Sequence, residues 1–341
     1  MRFPSLKAPV PLARLLIASA GLAALGGGMA AAETLTLYSA QHQQMVEQIT
    51  NAFTKQTGIK VRARFGEAPE IASQIVQEGA ASPADVYFTE NSPELVLLDE
   101  KGLLSPVDAA TLADVPTRYN AETGHWLGVL ARENVLAFNP SMIDEAKLPV
   151  SLLDLARPAW KGKIAIAPAD ADFLPLVEAI VKLKDRETAL AWLKAVKANA
   201  QVFDDDEAVV AAVDRGAVAT GIINNYYWAR LHQEKGAATK SRIHHFGGGD
   251  VGALINVSGA AVLKSSKHQA AAQKLLAFMV SQPMQTELAT ADIDFEYPLA
   301  KGVKANPLLK PFDQLDPPTI SVKDLGDDQD AAKLLREAGL L

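Results

Sequence analysis

Residues 221–230 read Gly-Ile-Ile-Asn-Asn-Tyr-Tyr-Trp-Ala-Arg and join an apolar segment to an aromatic one. The apolar run at residues 218–223 predicts a buried strand, and Asn224 or Asn225 is typical of the residue that caps a helix beginning at Tyr226 and Tyr227. In open α/β sheets, ligands bind at such a turn, where the carboxyl end of a strand meets a helix. An aromatic pair alone more often packs a helix onto a sheet, so its interpretation depends on the rest of the chain.

Two other predicted strand-to-helix turns carry possible ligands. His42 follows a strand at residues 34–40, and Glu90 follows a strand at residues 84–88. A lone histidine or acid at a helix start is ordinarily a cap or a partner of the helix dipole. Three such turns that together carry an imidazole, a carboxylate and two phenols indicate a shared binding site.

The chain alternates between predicted strands and helices, which implies largely parallel sheets covered by helices. Two long β-type segments, at residues 128–139 and 252–263, are expected to cross between two lobes. A helix at residues 268–281 is followed by a predicted loop. The sequence therefore predicts an α/β fold with discontinuous lobes, an N-terminal lobe of residues 33–131 and 257–308 and a C-terminal lobe of residues 132–256 and 309–341.

The first 32 residues have the pattern of a secretory signal peptide. Three basic residues precede or begin the apolar run at residues 15–25, and residues 30–32 offer alanines at the cleavage positions. Cleavage after Ala32 would leave 309 residues, with 30 basic and 40 acidic side chains. We expect export to the periplasm without a membrane anchor, because no later stretch is long and apolar enough to span a bilayer.

Composition and missing motifs exclude several classes of function. The chain has no cysteine, which excludes disulfides, thiolate metal sites and a lipid-bearing cysteine. The net charge of −10 after residue 32 argues against a nucleic acid partner. Residues 247–252 match the dinucleotide fingerprint only formally, because a strand-like segment follows them instead of a helix. Neither a nucleophile elbow nor a phosphate loop is present, so we predict a non-enzymatic binding protein.

The donor atoms of His42, Glu90, Tyr226 and Tyr227 favour one kind of ion. Carboxylate and phenolate oxygens are hard donors and imidazole is borderline, so the set suits a hard, highly charged cation rather than copper(I) or zinc. A free phenol has a pKa of about 10 and binds as an anion only where the cation itself removes the proton. Ferric ion fits best, because one carboxylate and two phenolates balance its charge.

Five segments carry a resemblance to a known family: residues 37–42, 82–90, 224–228, 256–260 and 296–298. They resemble the periplasmic ferric-ion-binding proteins, the bacterial transferrins that supply iron to ABC importers. In that family, the residues that match His42, Glu90, Tyr226 and Tyr227 coordinate iron. The resemblance implies the type II periplasmic binding protein fold, with two mixed sheets flanked by helices and joined by hinge strands. It also implies a monomer that transfers Fe3+ to an inner-membrane permease.

The resemblance fails at the site of the accompanying anion. Many relatives hold phosphate with a Ser-Gly-Ala turn at a helix start and two asparagines. Here Asn224 matches one asparagine and Asn91 is a possible contributor, but the turn reads Asp170-Ala171-Asp172 and the second asparagine position is Asp206. Three acids would repel phosphate at close range, so we expect no phosphate at this site.

Two arrangements remain open at this turn. Either Asp172 reaches the metal and Arg132 offsets the added negative charge, or a small anion such as carbonate lies near Arg132. The three acids could equally point into solvent as ordinary helix caps.

Other functions are also compatible with parts of the pattern. A binding protein of the same fold could carry an oxyanion, a polyamine or an iron chelate. A secreted hydrolase could use Glu90 and Asp172 as a pair of carboxylates, but both tyrosines and His42 would then have no role.

Overall fold

The computed structural model describes residues 33–341, and the predicted signal peptide lies outside them. This part of the chain forms α-helices, β-strands and short 3-10 turns in alternation. Within it, no helix is both long and apolar enough to cross a membrane.

The strands of the described residues, in chain order, are β1 (Thr34–Ala40), β2 (Lys60–Phe65), β3 (Val86–Thr89), β4 (Leu127–Phe138), β5 (Ile164–Ile166), β6 (Ala200–Val202), β7 (Thr220–Asn224), β8 (Arg242–His244), β9 (Ile255–Val262) and β10 (Tyr297–Pro298). The α-helices are α1 (Gln43–Thr57), α2 (Ala68–Glu78), α3 (Pro93–Glu100), α4 (Ala109–Ala113), α5 (Phe173–Leu183), α6 (Arg186–Asn199), α7 (Asp206–Asp214), α8 (Asn225–Lys235), α9 (Gln269–Met279), α10 (Gln282–Thr290) and α11 (Gln329–Ala338).

The strands follow the order β2-β1-β3-β9-β4-β7-β5-β6, and both β8 and β10 pair with β4. The strands β1, β2 and β3 are parallel at one end, as are β5, β6 and β7 at the other. Between them, β9 and β4 pair antiparallel to each other and to the neighbours on either side. The α/β fold with mixed sheets is therefore confirmed.

The two halves of the sheet are joined through β4, which both share. Residues 127–133 of this strand pair with β9, and residues 134–138 pair with β7. All twelve residues of β4 are buried. Apolar clusters cover the two ends of the sheet, with α1 and α9 contributing to one cluster and α5, α6 and α11 to another.

Several helix boundaries follow directly from sequence signals. The helix α1 ends at Gly58, whose φ of 76° favours glycine. The loop predicted after residue 281 was wrong, because α10 begins there. The side chain of Ser281 caps that helix by accepting a hydrogen bond from the Met284 N–H, and Pro283 lies in its first turn.

Gly221 lies in β7 where α7 packs directly on the strand, which generates a stability prediction. A Cβ atom at this position would lie 2.4 Å from Val209 Cγ1 and 3.2 Å from Val213 Cγ2. We expect Gly221→Val to lower the free energy of unfolding by about 1–3 kcal/mol, because α7 must shift to make room. Urea denaturation measures the change. Gly247→Ala is the matched control, since nothing lies within 4 Å of its Cβ position, and equal stability of the two variants would contradict the prediction.

Candidate metal centre

His42 and Glu90 meet at one edge of the sheet. His42 is the N-cap residue of α1, directly after β1, and Glu90 directly follows β3. Because β1 and β3 are parallel neighbours, their carboxyl ends open at the same edge. His42 Nε2 lies 3.3 Å from Glu90 Oε1, and the side chains are 27% and 24% exposed. Both line a cavity of about 400 Å³ that connects them to solvent.

The tyrosine pair lies against this histidine. Tyr226 and Tyr227 occupy the first turn of α8, directly after β7, and their rings stack with centroids 4.2 Å apart. The Tyr226 ring meets the His42 ring edge-on, with centroids 5.7 Å apart. Tyr226 is buried and Tyr227 is half-buried. The structure therefore brings together the turns that carry the four predicted ligands.

Arg132 and Asp172 form a buried ion pair beside the tyrosines. Arg132 is on β4, and its Nη2 and Nε atoms lie 3.0 Å and 3.2 Å from Asp172 Oδ1. Its Nη1 donates to the Glu90 carbonyl oxygen and its Nη2 to the Asn91 side chain. A further contact of 3.4 Å reaches Ser258 Oγ. The guanidinium is only 1% exposed, so the chain itself occupies its donors.

Asp172 also accepts a hydrogen bond from a predicted ligand. The Tyr226 hydroxyl donates to Asp172 Oδ2 over 2.9 Å. Burial opposes ionisation of Asp172, but the Arg132 charge and hydrogen bonds from Asn224 and Tyr226 outweigh burial and hold its pKa below the usual value. A carboxylate anion is therefore in direct contact with a tyrosine hydroxyl.

Asp170 and Asp206 point into the protein and bind backbone amides. Asp170 accepts from the N–H groups of Asp172 and Asp206, over 3.0 Å and 3.1 Å. Asp206 in turn accepts from the Asn224 N–H over 3.1 Å. Burial and the charge of Asp172 raise the pKa of Asp170 to about 6, and burial with the charge of Asp170 raises the pKa of Asp206. The expectation that these acids could point into solvent as ordinary caps is therefore wrong.

Burial also favours the protonated forms of both phenols and of the Glu90 carboxyl group while no cation is bound. Burial, and then the negative charge of Asp172, raises the pKa values of Tyr226 and Tyr227 above the usual value for phenols. The pKa of Glu90 rises to about 7, mainly through burial, with His42 opposing and Asp172 adding to the rise. Only a strongly Lewis-acidic cation can displace protons held this firmly.

Asp294 and Glu296 lie beside His42, and the sequence analysis did not identify either as a site residue. Single ligand atoms of His42, Asp294 and Glu296 all lie within 4.8 Å of one another. Asp294 Oδ1 is 3.2 Å from His42 Nδ1 and also accepts a hydrogen bond from Arg230. Glu296 accepts hydrogen bonds from Ser258 Oγ and Gln41 Nε2 over 2.6 Å and 3.1 Å. Both acids lie in the irregular segment between α10 and β10, whose sequence has no periodic pattern. The family resemblance at residues 296–298 was the one sequence feature that pointed to this segment.

Comparisons with known proteins find similarity along nearly the whole chain. Residues 81–315 match the family model described as bacterial extracellular solute-binding protein. The Fe(3+)-binding periplasmic protein of Serratia marcescens is 42% identical over 328 residues, which cover 96% of each chain. The major ferric iron-binding protein of Neisseria meningitidis is 36% identical over 93% of this chain and 96% of that one. The crystal structure of iron-bound HitA from Pseudomonas aeruginosa has a TM-score of 0.86 and 46% identity, and the match covers 90% of this chain and 99% of that one.

The raised pKa of Glu90 predicts how the stability of the metal-free protein depends on pH. The folded state retains a proton that the unfolded chain releases between pH 4.5 and about pH 7, so the free energy of unfolding falls as pH rises through that window. Glu90→Gln removes this carboxyl group. We therefore expect its free energy of unfolding to fall less steeply than that of the wild type between about pH 5 and pH 7.5. Urea denaturation in the presence of a chelator measures the slope. Glu100→Gln, at the exposed end of α3, is the control and should keep the wild-type slope; a wild-type slope in Glu90→Gln would contradict the prediction.

Proposed function

Because the chain belongs to the bacterial extracellular solute-binding protein family and has the type II periplasmic binding protein fold, we propose that it binds ferric ion in the periplasm and delivers it to an inner-membrane ABC permease. The observation that carries this proposal is a stacked pair of phenols in which Tyr226 contacts the imidazole of His42 and the carboxylate of Asp172, with Glu90 on the far nitrogen of His42. Two relatives, at 42% and 36% identity, are named as ferric iron-binding proteins. The protein acts as a carrier without a catalytic step.

The proposed ligands are His42, Glu90, Tyr226 and Tyr227. Each phenol holds its proton firmly in the ion-free site, so binding must release protons. Fe3+ is acidic enough to make this exchange, and the resulting phenolates and the Glu90 carboxylate neutralise its charge. A weaker Lewis acid would leave the phenols protonated, and the site therefore selects for ferric ion.

Asp172 is the fifth ligand in this proposal, and water completes the shell. Its Oδ2 is 2.9 Å from the Tyr226 hydroxyl, so a cation bound to that phenolate lies within reach of the same carboxylate oxygen. Ionisation of Tyr226 removes the hydrogen bond that now occupies Oδ2. The ion pair with Arg132 offsets the additional negative charge.

A separate anion has no free donors at this turn. The backbone N–H groups of Asp172, Asp206 and Asn224 already donate to carboxylates of the chain. Arg132 is buried and its donors are engaged, which also disfavours carbonate beside it. Asn91, Asp170, Asp206 and Asn224 support the site from outside the ligand shell and leave phosphate no place to bind.

We place the ion between two lobes. His42 and Glu90 belong to the N-terminal lobe of residues 33–131 and 257–308, and both tyrosines belong to the C-terminal lobe of residues 132–256 and 309–341. In support of this division, β4 and β9 run through the middle of the sheet, where a hinge would have to lie. Residues 1–32 are removed as a signal peptide on export, and the mature protein acts as a monomer.

The rival functions explain fewer of these contacts. An oxyanion would face Glu90, Asp172 and Asp294, and a polyamine would leave the phenols with no role. The hydrolase hypothesis needs Asp172 free as a base or nucleophile, but Arg132 and Tyr226 occupy both of its oxygens. No contact of the site specifically favours an iron chelate over the free ion.

Coordination by phenolates predicts a coloured ferric complex. We expect purified protein titrated with ferric nitrilotriacetate to develop a tyrosinate-to-iron charge-transfer band, and Tyr227→Phe to lose most of it. Ferric affinity should also fall steeply as pH is lowered, because protons compete for both phenolates. Tyr119→Phe, which alters a buried tyrosine that packs on Phe312, is the matched control and should keep the band. A colourless wild-type complex would refute the ligand assignment.

The role of Asp172 predicts iron binding without added anion. In buffer depleted of phosphate and bicarbonate, the wild-type protein should bind ferric ion as tightly as in their presence. Asp172→Asn keeps the side-chain volume but loses the charge. Removal of a residue that only supports a metal ligand typically lowers affinity about 10- to 100-fold, and we expect the loss of ferric affinity in Asp172→Asn to be at least as large. Competition titration against a chelator measures both results. A strong dependence of wild-type affinity on phosphate, or unchanged affinity in Asp172→Asn, would show that Asp172 is not a ligand.

A further inference from the structure

We propose that Asp294 is a positioning residue that selects the ligating tautomer of His42, and that Arg230 holds Asp294 in place. The proposal rests on the proposed function, in which His42 binds ferric ion. Asp294 lies in the segment between α10 and β10 and is only 5% exposed. Its nearest charged neighbours in the described residues are His42 and Arg230.

The two nitrogens of His42 face carboxylates on opposite sides of the ring. Nδ1 is 3.2 Å from Asp294 Oδ1, and Nε2 is 3.3 Å from Glu90 Oε1. Neutral imidazole carries one proton, which can reside on either nitrogen. The 3.2 Å approach of Nδ1 to Asp294 is not aligned as a hydrogen bond in this structure. A modest rotation of the ring would let an Nδ1 proton be donated to Asp294, with the Nε2 lone pair directed toward Glu90 and the proposed ion. A carboxylate behind a ligating histidine fixes both the tautomer and the ring orientation in this way.

Arg230 balances the charge of Asp294 and contacts the other proposed ligands. Its guanidinium donates to Asp294 Oδ1 and lies over the Tyr226 ring, 4.8 Å from the centroid. The Tyr227 centroid is 6.0 Å away. A buried carboxylate is costly unless it is paired, so the Arg230 guanidinium stabilises the Asp294 carboxylate. One ion pair thus links the histidine turn to the helix that carries both tyrosines.

The geometry separates Asp294 from the ligand position itself. Glu90 lies at Nε2 of the imidazole, whereas Asp294 lies at Nδ1. An ion bound directly by Asp294 would therefore lie on the side of His42 away from Glu90. Asp294 Oδ2 has no hydrogen-bond partner, so direct ligation is the competing role that the experiment must distinguish.

The first test needs no iron. In metal-free protein at mildly alkaline pH, ¹⁵N NMR of the imidazoles should show the His42 proton on Nδ1, with His42→Ala identifying the signal. Asp294→Ala should move the proton to Nε2 or give a mixture of tautomers. Glu122→Gln removes one partner of an exposed ion pair with Lys323 and should change nothing. A wild-type His42 protonated only on Nε2, or no change in Asp294→Ala, would overturn the proposal.

The second test is a double-mutant cycle on ferric affinity. Asp294→Ala should weaken binding by about 10- to 100-fold in the wild-type background, the usual loss for such a partner. The charge-transfer band should keep its position, because both phenolates still bind. In the His42→Ala background the same substitution should change affinity by less than about twofold, since its effect acts through His42. Arg230→Met should also lower ferric affinity in the wild-type background, though less than Asp294→Ala does, and should change it little in the His42→Ala background.

If Asp294→Ala lowers ferric affinity equally in both backgrounds, the proposal is overturned. A direct ligand or a general structural residue would affect affinity whether or not His42 is present. Failure of the proposed function has a different signature, namely a wild-type protein that forms no coloured ferric complex. The tautomer measurement still decides the role of Asp294 in that case.

Discussion

The guanidinium of Arg132 is buried on the strand that both halves of the sheet share, and the surrounding turns are arranged to neutralise it. Burying one ion costs roughly several kcal/mol unless opposite charge and hydrogen bonds compensate it. Asp172 supplies the charge from the start of α5, and the turn after β3 supplies the Glu90 carbonyl and the Asn91 side chain. The turns that hold Glu90 and Asp172 are thus fixed relative to one another by the need to neutralise one buried charge.

The same region contains more acids than bases, and burial prevents all of them from ionising together. Burial and neighbouring charge raise the pKa values of Glu90, Asp170 and Asp206, while the contact with Arg132 keeps Asp172 ionised. Bound protons therefore neutralise part of the negative charge that a bound cation would otherwise neutralise. A highly charged cation relieves this repulsion more effectively than protons do, which explains how a site rich in buried acids can also be a stable part of the fold.

The positions of the main site residues could be predicted because they depend on local patterns. Strand-to-helix periodicity placed His42, Glu90 and the tyrosine pair at turns, and parallel strands bring such turns to one edge. The partners of Asp172 and Asp206 could not be predicted, because side-chain hydrogen bonds depend on loop geometry that has no period. Asp294 was missed for the same reason. The sequence predicted two mixed sheets joined by shared strands, but sequence patterns do not show the register by which β4 pairs with β9 along one half and with β7 along the other.

The uneven exposure of the site has a kinetic consequence. His42 and Glu90 are about a quarter exposed and border a cavity open to solvent, whereas Tyr226 and Asp172 are buried behind them. A competitor that enters through this cavity would meet the imidazole and the Glu90 carboxylate of the proposed ligand set before it meets Tyr226 and Asp172. For an ion held by these residues, the solvent-facing pair would then govern the rate of release, and the buried oxygens would contribute mainly to equilibrium affinity.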